Sequence, residues 1–243
     1  MILRDCLIAI SLFSSTLVAQ SAQEIYEQST KLFAYKNMRF EVQSVIKTDD
    51  SKELRSFLIA QEEEENNNSS LLIRFSYPKD IACTSILSVQ KDDQTTNYVY
   101  FPALDKVRII PKKEQNSEVF GLGISYADLQ TYDGIFTLVD ELKYDGKEFY
   151  KISKQKGKYR SYYFIDKNDK VIDKIEFFKR DILEKEVFID KVTQFQDKPL
   201  VTQWHVIDHK NNKTYLYRIK LDSLQTKPST SLFYKNRLEQ CNF

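Results

Sequence analysis

The most regular feature of this chain is an alternation of apolar and polar residues that begins near Met38. Two alternating runs flank the polar tetrapeptide Thr48-Asp49-Asp50-Ser51. A period of two places apolar side chains on one face of a β-strand, and a short polar interruption between two such runs is typical of a tight turn. The pattern therefore predicts a β-hairpin at this point of the chain.

Similar runs, separated by short polar turns, continue along most of the remaining sequence. They cover 71–77, 83–91, 96–101, 105–110, 147–155, 159–166, 171–180, 184–195, 200–208 and 213–221. Near-regular spacing of strands and turns favours an antiparallel meander. The count is about eleven strands, and a single sheet of that width must curl, split or close.

Three segments lack this alternation, and we expect short helices in them. Residues 22–34 place apolar side chains along one helical stripe, with charged side chains opposite. Within 121–133, Ser125 is followed three residues later by an acidic residue, which is typical of a helix start. Residues 229–243 form the third segment. Its apolar side chains expected to turn inward are Leu232, Phe233 and Leu238.

Residues 1–21 differ from the rest of the chain and resemble a secretory signal peptide. A short start carrying Arg4 leads into an apolar stretch that ends at Ala19, followed by small and polar residues. The stretch of about 14 residues is shorter than the roughly 20 that span a bilayer as a helix, although an uncleaved anchor is the alternative. We expect cleavage after Ala19 or Ser21, leaving residues 22–243 as one exported, soluble domain.

If the chain is exported, its number of cysteines is consistent with one disulfide. Removal of the leader leaves Cys83 and Cys241, an even pair in an oxidising compartment, where disulfides persist. A bridge would close a loop of about 158 residues and contribute about 4 to 5 kcal/mol in the chain-entropy model. The alternative is two unpaired buried thiols that act as small hydrophobes.

Composition and charge exclude some classes of protein. Lysine plus arginine (36) nearly equals aspartate plus glutamate (35), whereas a nucleic-acid binder usually shows a basic excess. Aromatic residues make up 13% of the chain and suit strands, and 5 glycines with 5 prolines give no sign of a long linker. We therefore expect a single β domain that does not bind nucleic acid.

Candidate catalytic or metal-binding residues are few. His205 and His209 lie on a predicted strand, about 13 Å apart, which is too far to share one metal ion. Asp208 between them is one member of an imaginable hydrolytic triad, but no nucleophile motif accompanies it. The glycines of Phe-Gly-Leu-Gly at 120–123 lack a phosphate-binding context and predict a tight turn. We expect no enzyme, no cofactor and no metal.

A strongly curved sheet has a concave face that short helices can cover. An apolar cavity there suits a lipid or an acyl chain, and the alternative for the same residues is a filled core. The parity of the strands gives the candidate cavity residues Leu71, Ile73, Phe75, Tyr77, Leu87, Val89, Ile175, Phe177, Tyr215, Tyr217 and Ile219.

Three segments in the central region resemble a known family. They read YPKDIACTSIL at 77–87, YVYFPALDKVRIIP at 98–111 and FGLGISYADL at 120–129. In this order they resemble LolA-like proteins of the outer membrane lipoprotein-sorting family, which show an Asp-Ile-x-Gly-Thr turn, a Tyr-x-Pro-x-Leu-x-x-Val-Arg strand pair and a Ser-Tyr-x-Asp-Leu helix start. Cys83 stands where that family usually has glycine.

The resemblance implies an incomplete antiparallel β-barrel around an apolar cavity, covered by short helices. It also implies a monomeric periplasmic carrier of lipid or lipoprotein acyl chains for transfer to the outer membrane. An inner-membrane transporter and an outer-membrane acceptor would be its partners. Two alternatives stay open, namely a non-catalytic accessory module of an envelope lipid transporter and a lipid-cleaving enzyme on the same fold.

Overall fold

A computed structural model describes residues 20–33, 37–64, 68–92, 94–126 and 134–241. Nearly all of the predicted signal peptide lies outside these ranges. Most of the helix expected from Ser125 onward also lies outside them.

Thirteen antiparallel strands form one sheet. The first six are β1 (Asn37–Lys47), β2 (Lys52–Glu63), β3 (Ser69–Tyr77), β4 (Ser85–Lys91), β5 (Gln94–Phe101) and β6 (Lys106–Ile109). The others are β7 (Ile135–Tyr144), β8 (Lys147–Lys156), β9 (Tyr159–Asp166), β10 (Ile172–Lys179), β11 (Ile182–Phe195), β12 (Lys198–Asp208) and β13 (Lys213–Thr226). The fold is mainly β and fits the predicted incomplete barrel.

The strand order explains why the barrel is incomplete. Two meanders, β1 to β6 and β7 to β13, meet where β1 pairs with β13 in the middle of the sheet. The strands β6 and β7 therefore form the two edges of the sheet.

The expected count of about eleven strands is lower than the thirteen observed, and β7 is the strand that none of the expected runs covers. Its side chains are mostly exposed, including Ile135 at 75% and Val139 at 49%. Because this edge strand has no buried face, its sequence lacks the alternation by which the other strands were found.

One face of the sheet, which we call the apolar face, holds the main core. In β1, every second residue from Met38 to Ile46 is buried on it, as the alternation predicts. A row of directly paired residues crosses seven strands on this face. The row consists of Ile46, Tyr215, Val206, Val187, Ile175, Tyr163 and Ile152. It joins the main core to a smaller cluster under the N-terminal helix.

The helix α1 (Ala22–Phe33) confirms the predicted N-terminal helix and covers the β7-to-β10 side of the apolar face. Its Ile25 is 1% exposed and packs with Ile152 and Ile165. The Tyr26 ring lies 4.8 Å from the ring of Phe136. The apolar stripe of this amphipathic helix is therefore buried against one side of the sheet.

The C-terminal segment 229–241, which we call the strap, lies on the opposite face. It consists of two 3₁₀ turns, Thr230–Phe233 and Lys235–Arg237, where a short helix was expected. Phe233 and Leu238 turn inward as predicted and pack with Leu72, Leu87 and Tyr100.

A disulfide joins Cys83 to Cys241, with their Cα atoms 5.1 Å apart, and ties the end of the strap to the turn before β4. The predicted pair is therefore bridged rather than left as two free thiols.

Candidate binding site: an apolar face under a covering segment

The connection from β6 to β7 runs from one edge of the sheet to the other. Its described part, residues 110–126, which we call the cover segment, passes over the apolar face. Four of its side chains are buried in the main core. These are Ile110, Val119, Leu122 and Tyr126. The cover segment therefore closes the face that a curved sheet would otherwise leave open.

Aromatic side chains from the cover and the sheet meet beneath it. The ring of Phe120 lies 5.7 Å from that of Phe75 and 5.8 Å from that of Phe101. The ring of Phe75 lies 5.6 Å from that of Phe57. Such tilted and edge-on contacts are the favoured geometries of aromatic pairs.

The turn at the tip of the cover depends on its glycines. The backbone N–H of Val119 donates to the Ile124 carbonyl at 2.8 Å, and Gly121 and Gly123 have φ values of 71° and 62°. A Cβ on Gly123 would come within 2.8 Å of the Tyr215 ring. Glycine therefore allows both the turn and the close approach. The tight turn predicted at 120–123 is confirmed.

Hydrogen bonds from the sheet hold the cover at a few points. Tyr215 donates from Oη to Oε1 of Glu118 at 2.9 Å, and the same oxygen accepts the Gly123 N–H at 2.9 Å. Tyr217 donates from Oη to the Leu122 carbonyl. Lys185 Nζ donates to the Gly123 carbonyl at 2.7 Å. These bonds are separate from the hydrogen-bond ladders between the strands.

A raised pKa keeps three tyrosines of this site protonated, two of them in β13 and one in the cover segment itself. Burial and the nearby Glu118 carboxylate raise the pKa of Tyr215 and Tyr217 well above the usual value of a phenol. Burial, with a contribution from Glu114, raises the pKa of Tyr126 to about 12. These three phenols therefore keep their protons at physiological pH.

The structure brings together a part of the predicted cavity residues. The main core contains Ile73, Phe75, Tyr215, Tyr217 and Ile219. Their side chains fill the space under the cover segment.

Four further candidates surround this group on the apolar face or at its margins. Ile175 packs against the helix cluster. Leu71 and Phe177 are half-buried and lie outside the three apolar clusters, and Tyr77 is 49% exposed.

Leu87 and Val89 require a correction, because they lie on the opposite face. In the register of the sheet, Ile73 pairs with Ile86, and both belong to the main core. The turn between β3 and β4, with Cys83 at a φ of 68°, shifts the parity of β4 by one residue from the predicted one.

Leu87 and Val89 instead line a separate cavity of about 710 Å³ beneath the strap. Its other lining residues include Tyr98, Val107 and Phe233.

Sequence reasoning missed several residues of the site. Phe40, Val42 and Phe57 are buried in the main core, and the alternation of β1 and β2 was a sufficient signal for them. Val119 and Leu122 of the cover had no such signal, because they belong to an irregular segment.

The two histidines face different carboxylates on the sheet. His205 Nδ1 lies 2.8 Å from Asp190, and His209 Nε2 lies 2.7 Å from Glu186. Within the described residues, no group of three or more potential ligands is placed to hold a metal ion. No helix in this part of the chain has the length and apolar character needed to cross a membrane.

Several solved structures are similar to this chain, and three of them show the shared fold clearly. A DUF1329 family protein from Desulfovibrio piger gives a TM-score of 0.81 at 18% identity, covering 89% of this chain and 97% of that one. A putative outer membrane lipoprotein-sorting protein domain from Vibrio parahaemolyticus gives 0.81 at 19% identity, covering 90% and 98%. A LolA superfamily protein from Nitrosomonas europaea gives 0.72 at 15% identity, covering 90% and 99%.

These comparisons confirm the resemblance at the level of fold: the chain has the fold of LolA-superfamily and lipoprotein-sorting domains. A family model described as "Uncharacterized protein" matches residues 67–240, which is well over half of the chain. The chain therefore belongs to this family. No curated protein matches the sequence.

Proposed function

We propose that this protein is a periplasmic carrier that binds the acyl chains of lipids or lipoproteins on the apolar face, in the place now filled by the cover segment. Exported as a monomer, it would take cargo from an inner-membrane transporter and deliver it to an outer-membrane acceptor. It would do so by binding alone, without a catalytic step.

The observation that supports this proposal most strongly is how the apolar face is closed. Its aromatic and aliphatic side chains lie under one short helix and one irregular segment rather than under a second sheet. The cover segment adds four buried side chains to the main core and is held by a few hydrogen bonds. A small displacement of this segment would uncover a wide apolar surface.

Burial of an acyl chain and burial of the apolar side chains of the cover segment contribute comparable free energies. An acyl chain contributes about 0.8 kcal/mol per buried CH₂ group, and burial of a Leu or Phe side chain contributes about 1.5 to 3 kcal/mol. An acyl chain of ordinary length can therefore replace the apolar side chains of the cover. Because the cover competes for the same surface, it would also assist release to an acceptor.

Removal of the Tyr217 hydroxyl tests whether an acyl chain takes the place of the cover segment. The change Tyr217→Phe removes the hydrogen bond to the Leu122 carbonyl and keeps the ring. Loss of one buried hydrogen bond is worth about 0.5 to 1.5 kcal/mol. We expect cis-parinaric acid to bind the wild-type protein saturably and to associate about three- to tenfold faster with the variant in stopped-flow fluorescence.

Tyr144→Phe is the matched control, since this phenol is 75% exposed and lies on the edge strand. It should leave the association rate unchanged. A protein that shows no saturable probe binding, with or without Tyr217→Phe, is not an acyl-chain carrier of the kind proposed.

A further inference from the structure

The strands β12 and β13 separate partway along their length. They pair from Asp208 with Lys213 as far as Gln203 with Arg218. Beyond this point, residues 198–201 continue to pair with β11, whereas Ile219, Lys220, Gln225 and Thr226 pair with β1. We call the opening between them the fork.

A bulge in β13 keeps the fork open. The register of β1 against β13 shifts between Arg39 and Glu41. Ser223 in the bulge donates from Oγ to the Lys220 carbonyl at 2.6 Å and accepts the Glu41 N–H at 2.8 Å. These bonds fix the path of β13 away from β12.

A row of hydrogen-bond donors crosses four strands at the fork. Gln43 pairs with Arg218, Arg218 with Gln203, and Gln203 with Lys191. Gln43, Arg218 and Gln203 are directly paired, so their side chains point to the same face, the one that carries the strap. Lys191 lies between two register shifts in β11, and it lines the same cavity as Arg218. None of these four residues is a carboxylate.

The two cations of this donor row are available. Among the described residues, neither Arg218 nor Lys191 forms an ion pair. The neighbouring Lys220 is already bonded to Glu41 at 2.6 Å. Asp222 is the carboxylate at the mouth of the cavity that lies here.

The cavity at the fork has a volume of about 490 Å³ and is lined by both polar and apolar side chains. The donor row lines it together with Thr202, Ile219 and Leu221. Ile219 belongs to the main core, with Leu200 nearby in the same cluster. A molecule in the fork thus touches both the donors outside and the apolar face within.

From this juxtaposition, we propose that the fork binds an anionic amphiphile, with its phosphate or carboxylate on Arg218 and Lys191 and its acyl chain entering between β12 and β13. This inference rests on the proposed function and specifies the cargo as an acyl chain that carries an anionic head. Arginine and lysine bind such oxygens by charge-assisted hydrogen bonds, and the two glutamines supply further donors.

Trp204 provides the measurement, because it is the only tryptophan and follows Gln203 in β12. The Trp204 ring stacks on the Tyr217 ring, with centroids 4.9 Å apart. These two residues are paired on the apolar face, directly beside the point where β12 and β13 separate. The emission of Trp204 should therefore change when an acyl chain enters. The ligands are myristoyl lysophosphatidylglycerol, which is anionic, and myristoyl lysophosphatidylcholine, which is zwitterionic, both below their micellar concentrations.

We expect the anionic lysolipid to shift Trp204 emission saturably and to bind about tenfold more weakly to the double variant Arg218→Gln/Lys191→Gln. The zwitterionic lysolipid should bind wild type and double variant alike. The control Lys52→Gln/Lys210→Gln removes two exposed charges, one at the start of β2 and one in the turn between β12 and β13, and should leave both affinities unchanged.

Three outcomes would overturn the inference. If the double variant and the wild type bind the anionic lysolipid with equal affinity, the donor row does not contribute to binding, although acyl-chain binding itself still stands. If inorganic phosphate binds as tightly as the lysolipid, the fork is a site for free anions. If no lysolipid binds, even to the Tyr217→Phe variant, the proposed function itself is wrong.

Discussion

Cys83 has a backbone conformation that glycine would adopt more easily. Its φ of 68° lies in the left-handed region, which costs an L-residue about 1 to 2 kcal/mol. The LolA-like family that this sequence resembles usually has glycine at the position of Cys83. In this chain the residue with the positive φ also supplies the thiol that is linked to Cys241.

This interpretation can be tested in a background without the disulfide. With Cys241→Ser present, we expect Cys83→Gly to give a free energy of unfolding about 1 kcal/mol higher than Cys83→Ser, measured by urea denaturation. The reason is that glycine removes the cost of the positive φ. At Ser69, in strand β3, the change to glycine should lower stability by about 0.5 to 1 kcal/mol. A Cys83→Ser protein as stable as the Cys83→Gly protein would refute the idea.

At the scale of elements, the strap and the cover segment close opposite faces of the sheet by different means. The strap contributes Phe233 and Leu238, and its Arg237 carbonyl accepts a hydrogen bond from the buried Arg74 at 3.2 Å. Arg74 also donates to Ser85 at 2.9 Å. The strap is further fixed by the disulfide, whereas the cover segment has no cysteine.

Reduction of the disulfide should therefore loosen the strap and leave the apolar face closed. We expect faster amide exchange in 229–241 and a decrease of the unfolding free energy by up to about 5 kcal/mol, because the closed loop spans 158 residues. Exchange in β1 under native conditions should hardly change. Hydrogen–deuterium exchange with and without reductant makes the comparison.

The double variant Cys83→Ser/Cys241→Ser is the control, and reductant should not alter its exchange. Equal protection of the strap in oxidised and reduced wild-type protein would show that packing alone holds it.

At the scale of the whole molecule, the sequence predicts the type of sheet but not its details. Strands with one buried face, such as β1, show the alternation directly. The edge strand β7 does not, because most of its side chains are exposed. The parity of β4 depends on the turn before it, so Leu87 and Val89 were assigned to the wrong face.

The cover segment and the fork are harder still to predict. The residues of the cover follow no period, and their place over the apolar face depends on β6 and β7 being opposite edges of one sheet. The fork depends on where the pairing of β12 with β13 ends. Both are properties of long-range pairing, which local patterns do not encode.

Native mass spectrometry tests the central claim most directly. The purified protein is incubated with vesicles of phosphatidylglycerol, separated from them by centrifugation, and measured under gentle conditions. The account predicts a mass increase equal to one phospholipid in a saturable fraction of the molecules, with fewer adducts when lysophosphatidylglycerol competes. A spectrum that contains only the unliganded mass at every vesicle concentration, also for the Tyr217→Phe variant, would contradict it.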